Sequence, residues 1–180
     1  MKISKILKII GVLFLIIIAG GIYVSFINPT SPRGSAEFIK ESLVMEVDYS
    51  RPFKKERLIF GDSADGALVP FNIYWRLGAN FATTFEINKS LSFAGRLIES
   101  GKYRMYAVPN KDSWKITLNT DAGAFGYGEP DYDNDVISVN VSSKQMTGIV
   151  EQLTIDFIDD SIGTSMRIRW DSTLVLIPLN

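Results

Sequence analysis

The sequence predicts an all-β fold, an antiparallel β-sandwich, preceded by a single N-terminal transmembrane helix. From Leu43 onward the dominant hydrophobic period is two, the spacing at which successive side chains point to opposite faces of a strand. Turn residues punctuate that pattern at hairpin spacing, and the repeated strand-helix alternation of a parallel sheet is missing. Upstream, Ile9 to Ile27 carry no charge. At ~1.5 Å per residue a helix of that length covers ~28 Å, close to the ~30 Å hydrocarbon core of a bilayer.

Residues 1–8 form a basic tail with Lys2, Lys5 and Lys8, and residues 9–27 form the anchor, or signal, segment. Only Arg33 lies close to the far side, so the positive-inside rule keeps the N-terminus cytoplasmic and exports the remainder to the periplasmic side of a bacterial envelope. Ala19-Gly20-Gly21 also offers a small-residue cleavage site, with secretion as the alternative outcome. Cleavage there would leave Ile22 to Ile27 as an apolar N-terminus on the mature chain, which favours an uncleaved anchor. A lipid anchor needs a cysteine, and the chain has none. Residues 28–35 combine Pro29 and Pro32 with small polar residues, the composition of an extended spacer. The sandwich occupies residues 36–180, starting near Ala36.

Leu43, Met45, Val47 and Tyr49 alternate with Val44, Glu46, Asp48 and Ser50, a strand with one buried face. Phe81 to Asn88, Lys102 to Val108, Ser113 to Asn119, Asp135 to Ser142, Val150 to Ile158, Ser165 to Asp171 and Thr173 to Leu179 also read as strands, rich in β-branched and aromatic residues. Ala94-Gly95-Arg96, Pro109 to Asp112 and Asp159 to Gly163 are the hairpin turns between neighbours. Strands in that number imply two sheets; a jelly roll or a closed barrel satisfies the same pattern. The helical stretches expected outside the anchor are a short one within Pro70 to Leu77 and another at Ser143 to Ile149. Trp114, Ile116 and Leu118 share one strand face, as do Met166, Ile168 and Trp170, and both triplets read as core.

Removing Lys2, Lys5 and Lys8 from the 19 basic residues leaves 16 against 20 acidic ones, a net charge of −4 for the exported part. That balance argues against nucleic acid as a partner, because such affinity rests on phosphate neutralisation by a basic face. With no cysteine to form a disulfide, stability has to come from the core.

The chain contains no histidine, which removes serine-histidine and cysteine-histidine nucleophiles and every histidine metal site. No lysine has a serine three residues before it, so the Ser-x-x-Lys route is closed as well. Gly95 to Lys102 fails as a phosphate loop on spacing, and Tyr103 stands where the magnesium-binding hydroxyl belongs. Carboxylates remain, clustered from Glu129 to Asp135, where Asp131, Asp133 and Asp135 form a weak calcium candidate. A hand-type loop would need glycine and a carboxylate where Val136 and Ser142 stand, so the plainer reading is a solvated acidic loop and no cofactor or metal is expected. Gly123 to Gly128 is a flexible loop bearing Phe125 and Tyr127, either a lid over a site or a crossover between sheets.

Tyr49-Ser50-Arg51-Pro52, Lys55 to Gly61, Leu68-Val69-Pro70 and Trp75-Arg76-Leu77-Gly78-Ala79-Asn80-Phe81-Ala82-Thr83 together resemble the uncharacterised bacterial family catalogued as domain of unknown function 2911. Gly101-Lys102-Tyr103, Val108-Pro109, Trp114 and the closing Trp170 strand extend the resemblance over about Ser31 to Leu179. Glu56 stands where that family usually has a glycine between lysine and arginine. The resemblance implies an exported, mostly β domain, often behind a cleaved signal, and no established activity.

These segments concentrate arginines beside aromatics. A guanidinium presents a rigid fork of donors suited to carboxylate or phosphate, so Arg51, Arg57 and Arg76 converging near Tyr49, Trp75 and Asn80 would make an anion or glycan pocket. The competing reading is that Arg51 and Arg76 tie loops down by bonding backbone carbonyls and pairing with Asp48 or Glu86. Lys54, Lys55 and Arg57 beside Glu56 read as a solvated loop. The expectation is therefore a membrane-anchored, exported binding or interaction module, held to the membrane through residues 9–27, whose partner is a small ligand, a glycan or an envelope protein. A carboxylate-based glycan hydrolase is the enzyme alternative, and a structural domain of an envelope assembly is the third.

Overall fold

The computed structural model describes residues 2–23, 30–123, 126 and 128–180, in two compact units, Met1–Pro32 and Arg33–Asn180. The first holds one helix, α1 (Lys2–Ile22). Among the described residues no helix is long and apolar enough to cross a membrane. The lysines occupy the first two turns of α1, and its uncharged part, Ile9 to Ile22, reaches only ~21 Å of the ~30 Å required. The rest of the predicted span, 24–27, and the start of the spacer, 28–29, lie outside the described residues.

The second unit is built on strands: β1 (Arg33–Lys40), β2 (Leu43–Ser50), β3 (Phe60–Gly61), β4 (Val69–Pro70), β5 (Thr83–Ile87), β6 (Leu91–Phe93), β7 (Arg96–Ile98), β8 (Gly101–Pro109), β9 (Ser113–Asn119), β10 (Asp135–Asp160) and β11 (Gly163–Leu179). Nine of them form one antiparallel sheet in the order β1-β2-β5-β8-β9-β10-β11-β6-β7, and β3 pairs with β4 in parallel. Alternation sets the inward face: Met45, Val47 and Tyr49 on β2, Tyr103, Met105 and Ala107 on β8, and Trp114, Ile116 and Leu118 on β9 are all buried. Met166, Ile168 and Trp170 line the facing layer on β11.

The sheet becomes a sandwich because β10 serves both layers. Its first part, Asp135 to Ser142, pairs with β9; from Ser143 on it pairs with β11 instead. The far half of β10 then lies over the first strands: Phe157 packs on Phe38 at 5.9 Å between rings, and Lys40 pairs with Asp159 at 3.0 Å. The Ala94-Gly95 reversal joins β6 to β7 as predicted, with both residues in the left-handed region (φ 47° and 83°) that a two-residue hairpin of this twist demands.

Four local expectations change. Ser143 to Ile149 is not helical but continues β10, because Ser143, Lys144 and Gln145 find ladder partners on β11, and pairing with a distant strand overrides local propensity. Pro70 to Leu77 is not helical either: Asn72 and Leu77 adopt positive φ (61° and 57°), which no right-handed helix accommodates. The two strand pairs predicted at 135–158 and 165–179 are two continuous strands, each irregular near its middle. Strand β1 begins at Arg33, inside the stretch whose composition reads as spacer.

Candidate functional site

Tyr49 and Arg51, at the end of β2, both reach β10. The buried Tyr49 hydroxyl donates to the Ile155 carbonyl (3.1 Å) and accepts from the Ile155 amide (2.8 Å), and burial pushes the phenol above its ordinary pKa. Arg51 donates through Nε to the Leu153 carbonyl and through Nη2 to Thr154 Oγ1, both at 3.2 Å. Gly34 makes this reach possible, because a side chain there would run into Arg51 Cδ. Arg57 instead bonds within its own loop, to the carbonyls of Lys54 (3.1 Å) and Phe53. Trp75 belongs to the core: its indole donates to the Gly78 carbonyl (3.2 Å) and stacks on Trp170 at 6.0 Å. Asn80 is half-buried at positive φ (58°), with the Gly126 backbone so close that a Cβ there would lie 2.6 Å from the Asn80 carbonyl oxygen. Arg76 is half-buried beside Leu77.

The arginines that do gather are on the β10–β11 hairpin. Register places Asp156 opposite Arg167 and Thr154 opposite Arg169. Arg167 grips Asp156 with its fork, Nε and Nη2 each donating at 2.8 Å to a separate carboxylate oxygen, and Arg169 Nη2 adds a third bond of 2.8 Å. Arg51 arrives on the same patch through Thr154, and the charges of Arg51, Asp156 and Arg169 all act on the Tyr49 phenol. Burial alone would raise the Asp156 carboxyl, but the bonds and charges of Arg167 and Arg169 outweigh it and hold it below the ordinary carboxylate value. Arg167 and Arg169 side chains are 29% and 28% exposed, so this is a surface patch in which two guanidinium groups share one carboxylate and a third, that of Arg51, adjoins them through Thr154. The nearby Asp159 and Asp171 carry cations of their own, Lys40 and Lys54.

Arg167 and Arg169 were missing from the sequence-based candidates, although their signal was present. If Met166, Ile168 and Trp170 face the core, strand alternation puts Arg167 and Arg169 together on the opposite face. What composition could not supply is Asp156, which only the hairpin register brings to them.

A second polar grouping lies on the outward face of β8 and β9. One transverse row runs Asp48, Thr84, Arg104, Asn119, Asp135 across five strands. Arg104 is 1% exposed and donates to the Tyr74 hydroxyl and the Gly128 carbonyl, both at 2.6 Å. Among the described residues its Nε has no partner and no carboxylate lies within ion-pair distance of it. Asp135 is occupied by the Asn119 amide (2.8 Å) and the Tyr106 hydroxyl (2.7 Å). Burial and that bond raise the Tyr106 phenol, while burial and Glu129 push Tyr132 up to about 12. Asp131 accepts from the Asp133 amide (3.1 Å). Among the described residues no three acidic side chains gather as metal ligands; Ala124, Phe125 and Tyr127 of the glycine-rich loop lie outside the described residues.

Residues 31–179 match the family model described as Protein of unknown function (DUF2911), and the chain belongs to that family. No curated protein and no solved structure matches it.

Proposed function

We propose that this member of the DUF2911 family is an exported binding module tethered to the bacterial envelope by its N-terminal segment, and that it takes an anionic ligand on the patch of Arg51, Arg167 and Arg169. One observation carries the reading: Arg167 and Arg169 share the single carboxylate of Asp156 and Arg51 adjoins them through Thr154, which leaves a surplus positive charge on a half-buried surface of a domain that is otherwise net acidic. Asp156 fixes the two hairpin arginines in place, so a carboxylate or phosphate oxygen arriving beside it meets donors whose side-chain entropy is already spent. The tether rests on the basic start of α1 and on apolar side chains from Ile9 to Ile18 that stand exposed around the whole helix, a surface that water does not favour and lipid does.

The test is the melting temperature of the full chain in detergent, with citrate or inorganic phosphate against chloride at equal ionic strength. A ligand at one hundred times its Kd adds about 2.7 kcal/mol to the native state, which moves a domain of this size by about 5–10 °C. The rise is expected in the wild type and is lost in the Arg167→Ala, Arg169→Ala double variant. Equal melting in all three salts, or a rise that survives the double substitution, overturns the anion site.

A further inference from the structure

Where β10 and β11 change layers, their register breaks. Gln145 pairs with Thr173, but the next partners are Val150 and Asp171, so β10 bulges outward over Met146 to Ile149. Asp171, opposite the bulge, adopts a positive φ of 55°, a conformation that side-chain-bearing residues hold only where their surroundings impose it. The break opens a cleft of about 160 Å³ at the side of the sandwich.

The floor of that cleft is apolar. Half-buried Phe60 lies there, with Trp114 sealed behind it at 2% exposure and ring centroids 5.0 Å apart, on a cluster that includes Trp75 and Trp170. Its rim is polar: Asn110, Lys111, Gln145, Ser172 and Thr173 contribute amide, ammonium and hydroxyl groups, and Asp171 a carboxylate. Several rim groups are already oriented by one another. Ser172 Oγ donates to Gln145 Oε1 (2.9 Å), which points the Gln145 amide hydrogens elsewhere, and Asn110 Nδ2 donates to Asn72 (2.7 Å). Asp171 is neutralised by Lys54 at 3.3 Å.

The geometry points to a carbohydrate subsite in this cleft, sized for one pyranose ring. A pyranose presents C–H groups on its faces and hydroxyls around its edge, which matches an aromatic floor ringed by mixed donors and acceptors. The volume, worth about five water molecules, admits one such ring and excludes a longer chain from its interior. With Asp171 paired to Lys54, its carboxylate serves a neutral polyol as a hydrogen-bond acceptor. This site is separate from the arginine patch, and neither depends on the other.

All three tryptophans of the chain, Trp75, Trp114 and Trp170, lie in the cluster under the cleft, so intrinsic fluorescence reports its occupancy directly. The experiment titrates the full chain in detergent with glucose, galactose and N-acetylglucosamine, with sorbitol and glycine as controls. A saturable change in tryptophan emission is expected for at least one of the sugars, with a midpoint of about millimolar, and neither control reproduces it. Lys111→Ala and Gln145→Ala, both at exposed positions and so without threat to folding, each weaken it about tenfold. A change that never saturates, that glycine or sorbitol reproduces, or that both variants leave intact overturns the subsite.

Discussion

Arg104 and the pair Arg167 and Arg169 arise from the same sequence habit, a cation alternating with apolar residues along a strand, yet they end in opposite states. Arg104 is sealed at 1% exposure, whereas Arg167 and Arg169 keep more than a quarter of their side-chain surface in water. The difference lies in what covers the outward face of each strand. Tyr74 and the Gly128 to Asp135 segment close over β8, each offering an oxygen to the guanidinium or its row. At ~4.8 Å between strands, Asp48 and Asp135 stand two strands away on either side, ~10 Å along the row, so neutral groups carry the first contacts. On the hairpin the partner is a carboxylate one strand away. A buried cation held by neutral oxygens serves the fold, and a half-buried cluster with surplus charge is what the proposed anion site requires.

The largest test of that contrast is at Arg104. Replacing it with alanine opens a cavity and strands the Gly128 carbonyl and the Tyr74 hydroxyl, for a loss of about 3–5 kcal/mol, or roughly 10 °C or more in melting temperature. Arg104→Met fills the space without charge and recovers much of that loss, since desolvating a cation is itself costly. An alanine variant melting within two or three degrees of the wild type (~1 kcal/mol) would mean that the cover does not depend on Arg104.

Tyr49→Phe comes next, because it touches the seam between the two regions. The hydroxyl satisfies both the amide and the carbonyl of Ile155, which face the β2 end of the fold rather than β11. Phenylalanine preserves the packing and leaves two buried backbone groups unpaired, for about 1–3 kcal/mol. Hydrogen exchange at the Ile155 amide should accelerate with it. A destabilised variant whose Ile155 amide stays fully protected would place the role of Tyr49 in packing alone.

Much of this was legible in the sequence, and the reasons are local. Ser113 to Asn119 and Leu43 to Ser50 reveal themselves by strict alternation, and Ala94-Gly95 by turn chemistry, so strand, face and reversal could be read from neighbouring residues. The continuation of β10 through Ser143 to Gln145 could not, because its partners Thr173, Leu174 and Val175 are remote in sequence. The same limit governs the sites. Tyr49 and Arg51 were chosen for their chemistry and do reach one place, but that place is on β10. Arg57, chosen on the same grounds, closes its own loop. Arg104 sits in a strand predicted from its neighbours, and only the register reveals that each residue beside it in the row is neutral.

The smallest effect concerns acid. The folded-state pKa of Asp156 is held below its unfolded value by Arg167 and Arg169, so its contribution to stability is fully present above about pH 4, the unfolded carboxylate value. That contribution fades as pH falls through the lower folded value. The melting difference between wild type and Asp156→Asn is therefore expected to stay level from pH 7 to about pH 5 and to shrink below about pH 4. The patch is partly exposed and solvent screens it, so the plateau itself is small. A difference that is unchanged at pH 3 would show that asparagine disturbs the hairpin by something other than charge, and would remove Asp156 as the group that fixes Arg167 and Arg169 for a ligand.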